Sequence, residues 1–493
     1  MPNPHYNPHL DGETIKEECG VIGVYLPGED VASTCFFGLF ALQHRGQESA
    51  GMAVSDGSKV RMHKGMGLVN QVFGAETLAT LPGEMAVGHT RYSTTGASAL
   101  RNAQPIFCQT QIGEVAVAHN GNLINAVQLR TELEADGEVF GSTSDTEVMA
   151  RIIVRNLRNG VEEAVREVMR LCKGAFSVVV QTPTTIVGFR DPYGIRPLSV
   201  GRLGENGHMM ASESCAFGPI GGVVERELKP GEIAVIDHNG LRIVQGIESP
   251  KEAMCLFEFI YFARPDSRMF GTGLYSARVR MGERLNEEHP VDADIIVPVP
   301  DSGIPAALGF SKASGIPFRE GMMKSRYIHR TFIQPDQRMR EIGVRMKLTP
   351  LEDHIRGKRV VLVDDSIVRG TTTKQIVKMM FDSGATEVHV RITAPPIKHP
   401  CFYGIDMASK NELAAAVMTL EELTAHIGAT SLGFLSVDGA RLAVSDSTEG
   451  FCTACFTGEY PLEIPDGLQK NAFGDPVGEL ETVSSGQGVL ISE

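Results

Sequence analysis

The chain has 493 residues, 42% hydrophobic and 22% charged, with a formal net charge of -14. That length exceeds what one hydrophobic core usually organises, so two or more domains are expected, and the composition is that of an ordinary soluble globular protein. The negative balance argues against nucleic acid or an anionic membrane as the main partner, and no apolar run approaches a membrane span.

Residues 1–18 contain three prolines, two histidines and four acids with little to pack, and read as a disordered leader without a signal peptide's apolar core. The cytoplasm is the default compartment. At Cys19 the character changes. C-G-V-I-G-V-Y reads as a strand, and from there to residue 245 short strands alternate with Gly-rich turns. Gly51 to Val54, Val60 to Lys64, Met85 to His89, Val115 to His119, Ser177 to Gln181 and Ile186 to Arg190 are the clearest. Helices are predicted over Ser33 to Gln43, from near Ser144, and over Val161 to Leu171, where Glu162 and Glu163 occupy the first turn. Many strands with few, non-alternating helices predict stacked antiparallel sheets covered by helices, an α+β domain over 19–245.

Around residue 250 the pattern becomes βαβ. A strand from Asp294 to Pro300 ends in P-D-S-G, a crossover helix covers Ile304 to Ser314, and V-V-L-V at Val360 to Val363 reads as a buried parallel strand. A helix ended by Gly384 and an alternating strand from Glu387 to Ala394 follow. This predicts an α/β domain, a parallel sheet with helices on its faces, over 246–464. The last 29 residues, 465–493, rich in Gly, Ser and acids, read as a flexible tail.

Two stretches carry chemistry. In the first domain, Cys19 opens the structured chain. A thiol attacks only as thiolate, and if the 18-residue leader is cut away, the residue's own α-amine, with an unperturbed pKa of roughly 8, becomes its base. L-Q-H-R-G-Q-E-S-A-G from Leu42, G-H-T-R-Y-S-T-T-G from Gly88, H-N-G-N-L from His119 and S-T-S-D-T-E from Ser142 accompany it. Together with E-E-C-G-V-I-G-V, these stretches resemble the glutamine amidotransferases of the amino-terminal-nucleophile class. The resemblance implies that Cys19 attacks the glutamine side-chain amide, that Asn120 and the Gly121 N–H form an oxyanion hole, and that Arg91 and Asp145 hold the α-carboxylate and α-amine. The chemistry is consistent with this. Arginine offers a bidentate fork for a carboxylate, and an oxyanion donor is typically worth about 3–4 kcal/mol. Alone, Asn120-Gly121 would be a plain hairpin turn and Asp145 a helix cap.

In the second domain, the buried strand runs into Asp364 and Asp365, then Ser366, Arg369, Gly370, Thr371 and Thr372. Paired acids suit ribose hydroxyls or a hard cation, and backbone N–H groups with hydroxyls at a helix start suit a phosphate. The motif resembles the phosphoribosyl-pyrophosphate loop of type I phosphoribosyltransferases. By that resemblance, Asp364 and Asp365 with Ser302 stand at the magnesium and ribose positions. Lys324, Arg326 and Arg330, in the run K-S-R-Y-I-H-R-T-F-I-Q, belong to a loop that closes over the substrate. Ser325, Ile328 and His329 depart there from the expected Asn, Val and Gly.

A glutaminase followed by a phosphoribosyltransferase in one chain is similar to the glutamine phosphoribosylpyrophosphate amidotransferase family, from Cys19 to about Pro461. This implies 5-phosphoribosylamine synthesis from phosphoribosyl pyrophosphate, glutamine and water, the first committed step of purine biosynthesis, with ammonia kept out of water between two sites. It implies Mg2+, purine nucleotide inhibitors, a tetramer and, in the branch with a cleaved propeptide, a [4Fe–4S] cluster on Cys255, Cys401, Cys452 and Cys455. A Cys-only zinc site would use the same thiols. Apart from Cys19, the remaining four of the nine cysteines read as small buried hydrophobes. The rival from another class is a nucleotide-sensing regulatory protein that keeps only the phosphoribosyltransferase fold; it predicts neither an intact nucleophile with its oxyanion pair nor both loop acids. A third reading, an enzyme using free ammonia, requires the leader to stay on.

Overall fold

The computed structural model describes residues 19–92, 98–111, 113–325, 348–405, 407, 409–465 and 489–491. In the first half the chain forms β1 (Gly20–Tyr25), α1 (Val31–Ala41), β2 (Ser49–Ser55), β3 (Val60–Met66), β4 (Met85–Arg91), β5 (Ile106–Gln109) and β6 (Glu114–Leu123). There follow α2 (Ala126–Ala135), α3 (Asp145–Asn156), α4 (Val161–Leu171), β7 (Gly174–Gln181), β8 (Ile186–Arg190), β9 (Ser199–Leu203), β10 (Gly207–Ala211), β11 (Gly222–Glu227), β12 (Glu232–Asp237) and β13 (Gly240–Gln245).

These strands build two sheets whose pairings within this half are antiparallel, one in the order β13-β12-β8-β7-β6-β5 and an eight-stranded one in the order β11-β9-β10-β1-β4-β2-β3 with a last strand added beside β3. Alternation along β1 explains the stacking. Val21 and Tyr25 face the other sheet and pack with Val179 of β7, while Ile22 and Val24 face α1. Gly23 lies on the inward face where a Cβ would come 2.9 Å from Val179, so the sheets meet closely there. On the far side α3 and α4 lay Val148, Ile152, Val165 and Val168 over β6 and β7. The result is helix, sheet, sheet, helix, as the strand-rich pattern predicted. Asp30 caps α1 through the Ser33 N–H at 3.0 Å, and Ser144 caps α3 through Thr146 N–H at 3.3 Å.

The second half contains α5 (Leu274–Glu288), β14 (Ile295–Pro298), α6 (Ile304–Ser314), β15 (Arg359–Asp364), α7 (Thr371–Asp382), β16 (Glu387–Ile392) and β17 (Ser431–Phe434). The four strands pair in parallel in sequence order. Every residue of β15 from Val360 to Asp364 is buried, as a strand covered on both faces must be. Its core also takes in Ile124, Ala175 and Ile195 from the first half, so the two halves share apolar packing. Among the described residues, no helix is long and apolar enough to cross a membrane.

Three expectations are amended. The strand expected from Val115 to His119 runs on to Leu123, so the Asn120-Gly121 pair lies inside β6, opposite Ser177 and Phe176 of β7. The strand expected from Asp294 to Pro300 stops at Pro298, and the backbone turns at 301–303 to start α6. Within the tail, Val489–Ile491 forms β18, antiparallel to β3 at the edge of the large sheet. The leader, and most of the tail, lie outside the described residues.

Helices α5 and α6 meet almost backbone to backbone. A Cβ on Gly282 would stand 1.8 Å from the Ala306 carbonyl oxygen, and one on Gly309 would stand 1.9 Å from that of Val279. Overpacking of this kind typically costs about 1–3 kcal/mol. Gly282→Ala is therefore expected to lower the urea midpoint of the purified protein, and an unchanged midpoint would mean that the helices separate freely.

Candidate active sites

The first site collects where β1, β4, β6 and α3 meet. Cys19 is buried at the start of β1, and its thiol donates to the Tyr92 carbonyl at 3.4 Å. Burial pushes that thiol up to about 11, with Arg91 pulling the other way. Arg91, the last residue of β4, is buried and stands 4.0 Å from Glu48. Asn120 lies on β6 with both side-chain amide atoms buried and without a hydrogen-bond partner. An orphaned buried amide is costly unless a ligand completes it. Gly121 follows with φ +141°, and a Cβ there would sit 1.9 Å from the Ala175 carbonyl oxygen. Only glycine fits that position.

Asp145 opens α3. Its carboxylate accepts from the Leu123 N–H at 3.1 Å and lies 3.7 Å from His119 Nδ1. Burial opposes ionisation, yet His119 and the N–H groups of Leu123 and Thr146 hold the carboxyl below its usual range. Burial pushes His89 down to about 3, so its neutral ring donates from Nε2 to the His119 carbonyl at 3.0 Å and ties β4 to β6 across the two sheets. The four first-domain motifs thus converge on one region, although residues 93–96 of the second motif lie outside the described residues.

The second site lies at the C-terminal ends of β14 and β15, adjacent parallel strands, where open α/β sheets bind ligands. Asp364 and Asp365 are buried, and Asp364 accepts from the Asp365 N–H at 2.9 Å. Burial and the neighbouring Asp365 push the Asp364 carboxyl well above its usual range. Ser366 donates to Asp365 at 2.5 Å, and Gly370, at φ +84°, turns the backbone into α7, whose first residues are Thr371 and Thr372. Arg369 pairs with Glu412 at 2.7 Å. Ser302 sits in the turn after β14; the next residue, Gly303, would place a Cβ 2.4 Å from the Val363 carbonyl oxygen, so this turn packs against the end of β15. Lys324 reaches the same turn, 2.7 Å from Asp301. Arg326 and Arg330 lie outside the described residues.

The four cysteines outside these sites come together. Cys255 and Cys452 are register partners in a two-residue parallel ladder, Cys455 follows within one turn, and Cys401 lies close enough to influence the other three thiols. No three of the four lie within 4.8 Å of one another. Among the described residues His44, Glu213 and Cys215 do converge that tightly. Arg45, Ser267 and the Arg264 N–H already occupy Glu213, which leaves no room for a cation.

Sequence reasoning assigned no role to the residues that join the halves. Arg45, inside the first glutaminase motif, donates from Nε to the Cys19 carbonyl at 3.1 Å and grips Glu258 at 2.6 and 3.1 Å. Asn122 donates to the Phe402 carbonyl at 2.9 Å, Arg196 donates to the Tyr403 carbonyl, and a Cβ on Gly404 would stand 3.0 Å from Gly121. The signal was a buried-type position holding a charge, but each partner lies far along the chain.

Known proteins resemble this chain over nearly its whole length. The glutamine amidotransferase domain family matches residues 89–218. The amidophosphoribosyltransferase of Synechococcus elongatus is 50% identical over 475 residues, 95% of each chain. That of Bacillus subtilis is 46% identical over 455 residues, 91% of this chain and 95% of its own. A solved structure of glutamine phosphoribosylpyrophosphate amidotransferase from B. subtilis, complexed with ADP and GMP, superimposes with a TM-score of 0.86 at 44% identity, covering 92% of this chain and all of that one. A second, described as the allosteric regulatory enzyme of purine biosynthesis, gives the same TM-score of 0.86 over 92% of this chain. With relatives matched nearly end to end, the chain belongs to the amidophosphoribosyltransferases, the enzymes that catalyse the first step of purine biosynthesis.

Proposed function

We propose that the two sites divide that reaction between them, Cys19 freeing ammonia from glutamine and the Asp364–Thr372 loop accepting it on phosphoribosyl pyrophosphate. The observation that carries the reading is the Asn120 side chain, a buried amide with nothing bonded to it beside the Gly121 backbone. Its Nδ2 is a donor without an acceptor, as one arm of an oxyanion hole is before substrate arrives, and the Gly121 N–H is the second arm in this reading. Arg91 takes the α-carboxylate of glutamine and the ionised Asp145 takes its α-ammonium. Cys19 Sγ bonds to the amide carbon, the C–N bond breaks and the nitrogen leaves as ammonia with the thiol's proton; water then cleaves the thioester to glutamate. In a chain that begins before Cys19 the thiol, up at about 11, stays protonated at neutral pH. Removal of residues 1–18 supplies the α-amine that takes its proton.

Ammonia then attacks carbon 1 of the phosphoribosyl group and pyrophosphate departs. Asp364, Asp365 and Ser302 present hard oxygen donors and fit Mg2+, which supplies charge neutralisation for the pyrophosphate. Thr371, Thr372 and the N–H groups at the start of α7 hold the 5-phosphate, with Ser366, Arg369 and Gly370 shaping the turn. Lys324, Arg326 and Arg330 supply cations over the pyrophosphate. In water at neutral pH ammonia is mostly ammonium and cannot attack, so it passes through the contact between the halves.

The thiol set of Cys255, Cys401, Cys452 and Cys455 fits a [4Fe–4S] cluster. Soft thiolates alone suit such a cluster, and a Cys-only zinc site would use the same four. Such a cluster is structural here, since no step transfers an electron. Purine nucleotides are the inhibitors, supported by the ADP and GMP bound to the B. subtilis relative. A homo-oligomer, a tetramer in this reading, is supported by the exposed Phe37 and Phe40 on α1, and the cytoplasm by nine free thiols.

Cys19→Ala is expected to abolish glutamine-dependent synthesis and leave ammonia-dependent synthesis; loss of both would make Cys19 structural. Asp365→Asn should disable transfer from either nitrogen source, and parental rates would refute the loop assignment. Protein purified without oxygen should contain iron and inorganic sulfide in equal amounts, both lost in Cys452→Ser. Stoichiometric zinc instead would overturn the cluster.

A further inference from the structure

Arg45 is almost fully buried and its planar guanidinium spends its donors in three directions. Nε donates to the Cys19 carbonyl at 3.1 Å, Nη1 and Nη2 fork onto the two oxygens of Glu258 at 3.1 and 2.6 Å, and Nη1 also meets Glu213. Glu213 comes from the glutaminase half and is held independently by His44 Nε2 at 2.7 Å, Ser267 at 2.7 Å and the Arg264 N–H at 2.9 Å. Glu258 comes from the other half. It opens a buried turn, Glu258–Phe262, and α5 braces that turn through Arg278, which donates to the carbonyls of Phe259 at 2.8 Å, Tyr261 at 3.1 Å and Ala263 at 2.7 Å. Arg196 adds a second cation 3.6 Å from Glu258.

We propose that Glu258 is a positioning residue for glutamine cleavage: by forking Arg45 it fixes the carbonyl, and so the thiol, of Cys19 from across the domain boundary. This rests on the reading of Cys19 as nucleophile. A bidentate carboxylate leaves a guanidinium no freedom to rotate in its plane, which aims Nε at one point. The carbonyl at that point belongs to the residue whose thiol must reach the amide carbon opposite Asn120. A neutral amide in place of the carboxylate accepts from only one arm of the fork, so Arg45 tilts and the Cys19 carbonyl tilts with it. Misplacement of about 1 Å is enough to cost about a hundredfold in rate. Arg91 and Asp145, which hold the ends of glutamine, stand apart from this fork and continue to bind it.

The test is steady-state kinetics of the full chain carrying Glu258→Gln or Arg45→Lys. Lysine keeps the positive charge but cannot bridge Cys19 and Glu258 at once. For both variants the glutamine-dependent kcat is expected to fall about tenfold to a hundredfold with the glutamine KM within about twofold of the parent. Ammonia-dependent synthesis, assayed on the soluble folded variant below its thermal midpoint, should stay close to the parent even though a lost buried charge lowers that midpoint. Parental kcat in either folded variant overturns the proposal, as does a joint loss of glutamine affinity and ammonia-dependent synthesis, which marks a merely structural role. Cys19→Ala measured alongside separates the premises. If it still uses glutamine, the nucleophile reading fails; if it is inactive with glutamine while Glu258→Gln is not impaired, positioning alone fails.

Discussion

Four charges buried at the boundary between the halves constrain everything else: Arg45, Glu213, Glu258 and Arg196, none more than 1% exposed. Taking an ion out of water costs several kcal/mol even after relaxation, and only a partner with good geometry offsets it. Neither half contains a balanced set. Arg45, Glu213 and Arg196 belong to the antiparallel sandwich, while Glu258 follows it in the chain and sits against the parallel sheet's helices. The halves must therefore meet in one orientation, and truncating one partner is of the order of 3–5 kcal/mol because the charge left behind stays dry. Burial opposes the charge on Glu213, yet His44 and Arg45 hold its carboxyl well below the usual range, so it remains ionised through mildly acidic pH.

That orientation lays the second half along the strand that carries Asn120. The carbonyls of Phe402 and Tyr403 accept from Asn122 and Arg196, and Gly404 lies against Gly121. Cys401 stands at the start of this segment and receives the Tyr403 N–H at 3.4 Å. The proposed oxyanion strand, the proposed cluster ligands and the core of the parallel sheet are thus parts of one packed body, and both reactions are held to a common frame.

Much of this was legible from residue types, because chemistry needs particular groups. The strand from Val360 to Val363 with its acids, the helices Ile304–Ser314 and Val161–Leu171, and the stacked sheets all lie where local pattern put them. Helix α5 was missed. Leu274, Ala277, Met281 and Leu285 have helical spacing, but Arg278 and Gly282 interrupt them, one buried by its hydrogen bonds to carbonyls and the other required by the backbone of α6. Taken alone, Asn120-Gly121 would read as a turn because Asn-Gly favours positive φ; the strand accommodates that φ at Gly121 and continues to Leu123. The Arg45–Glu258 pair spans 213 residues, beyond any window in which periodicity or capping operates.

The close approach of Gly404 to Gly121 has a practical corollary. The glutaminase half cannot serve as a portable cartridge for supplying nitrogen to some other acceptor domain. Excised at residue 245, it would present Asn122 and Arg196 to solvent without their carbonyl caps, and would lack the wall that Gly404 provides behind the Asn120 strand. A chimera that transplants it has to carry the 402–404 segment and Glu258 along, as pieces of the recipient's own surface.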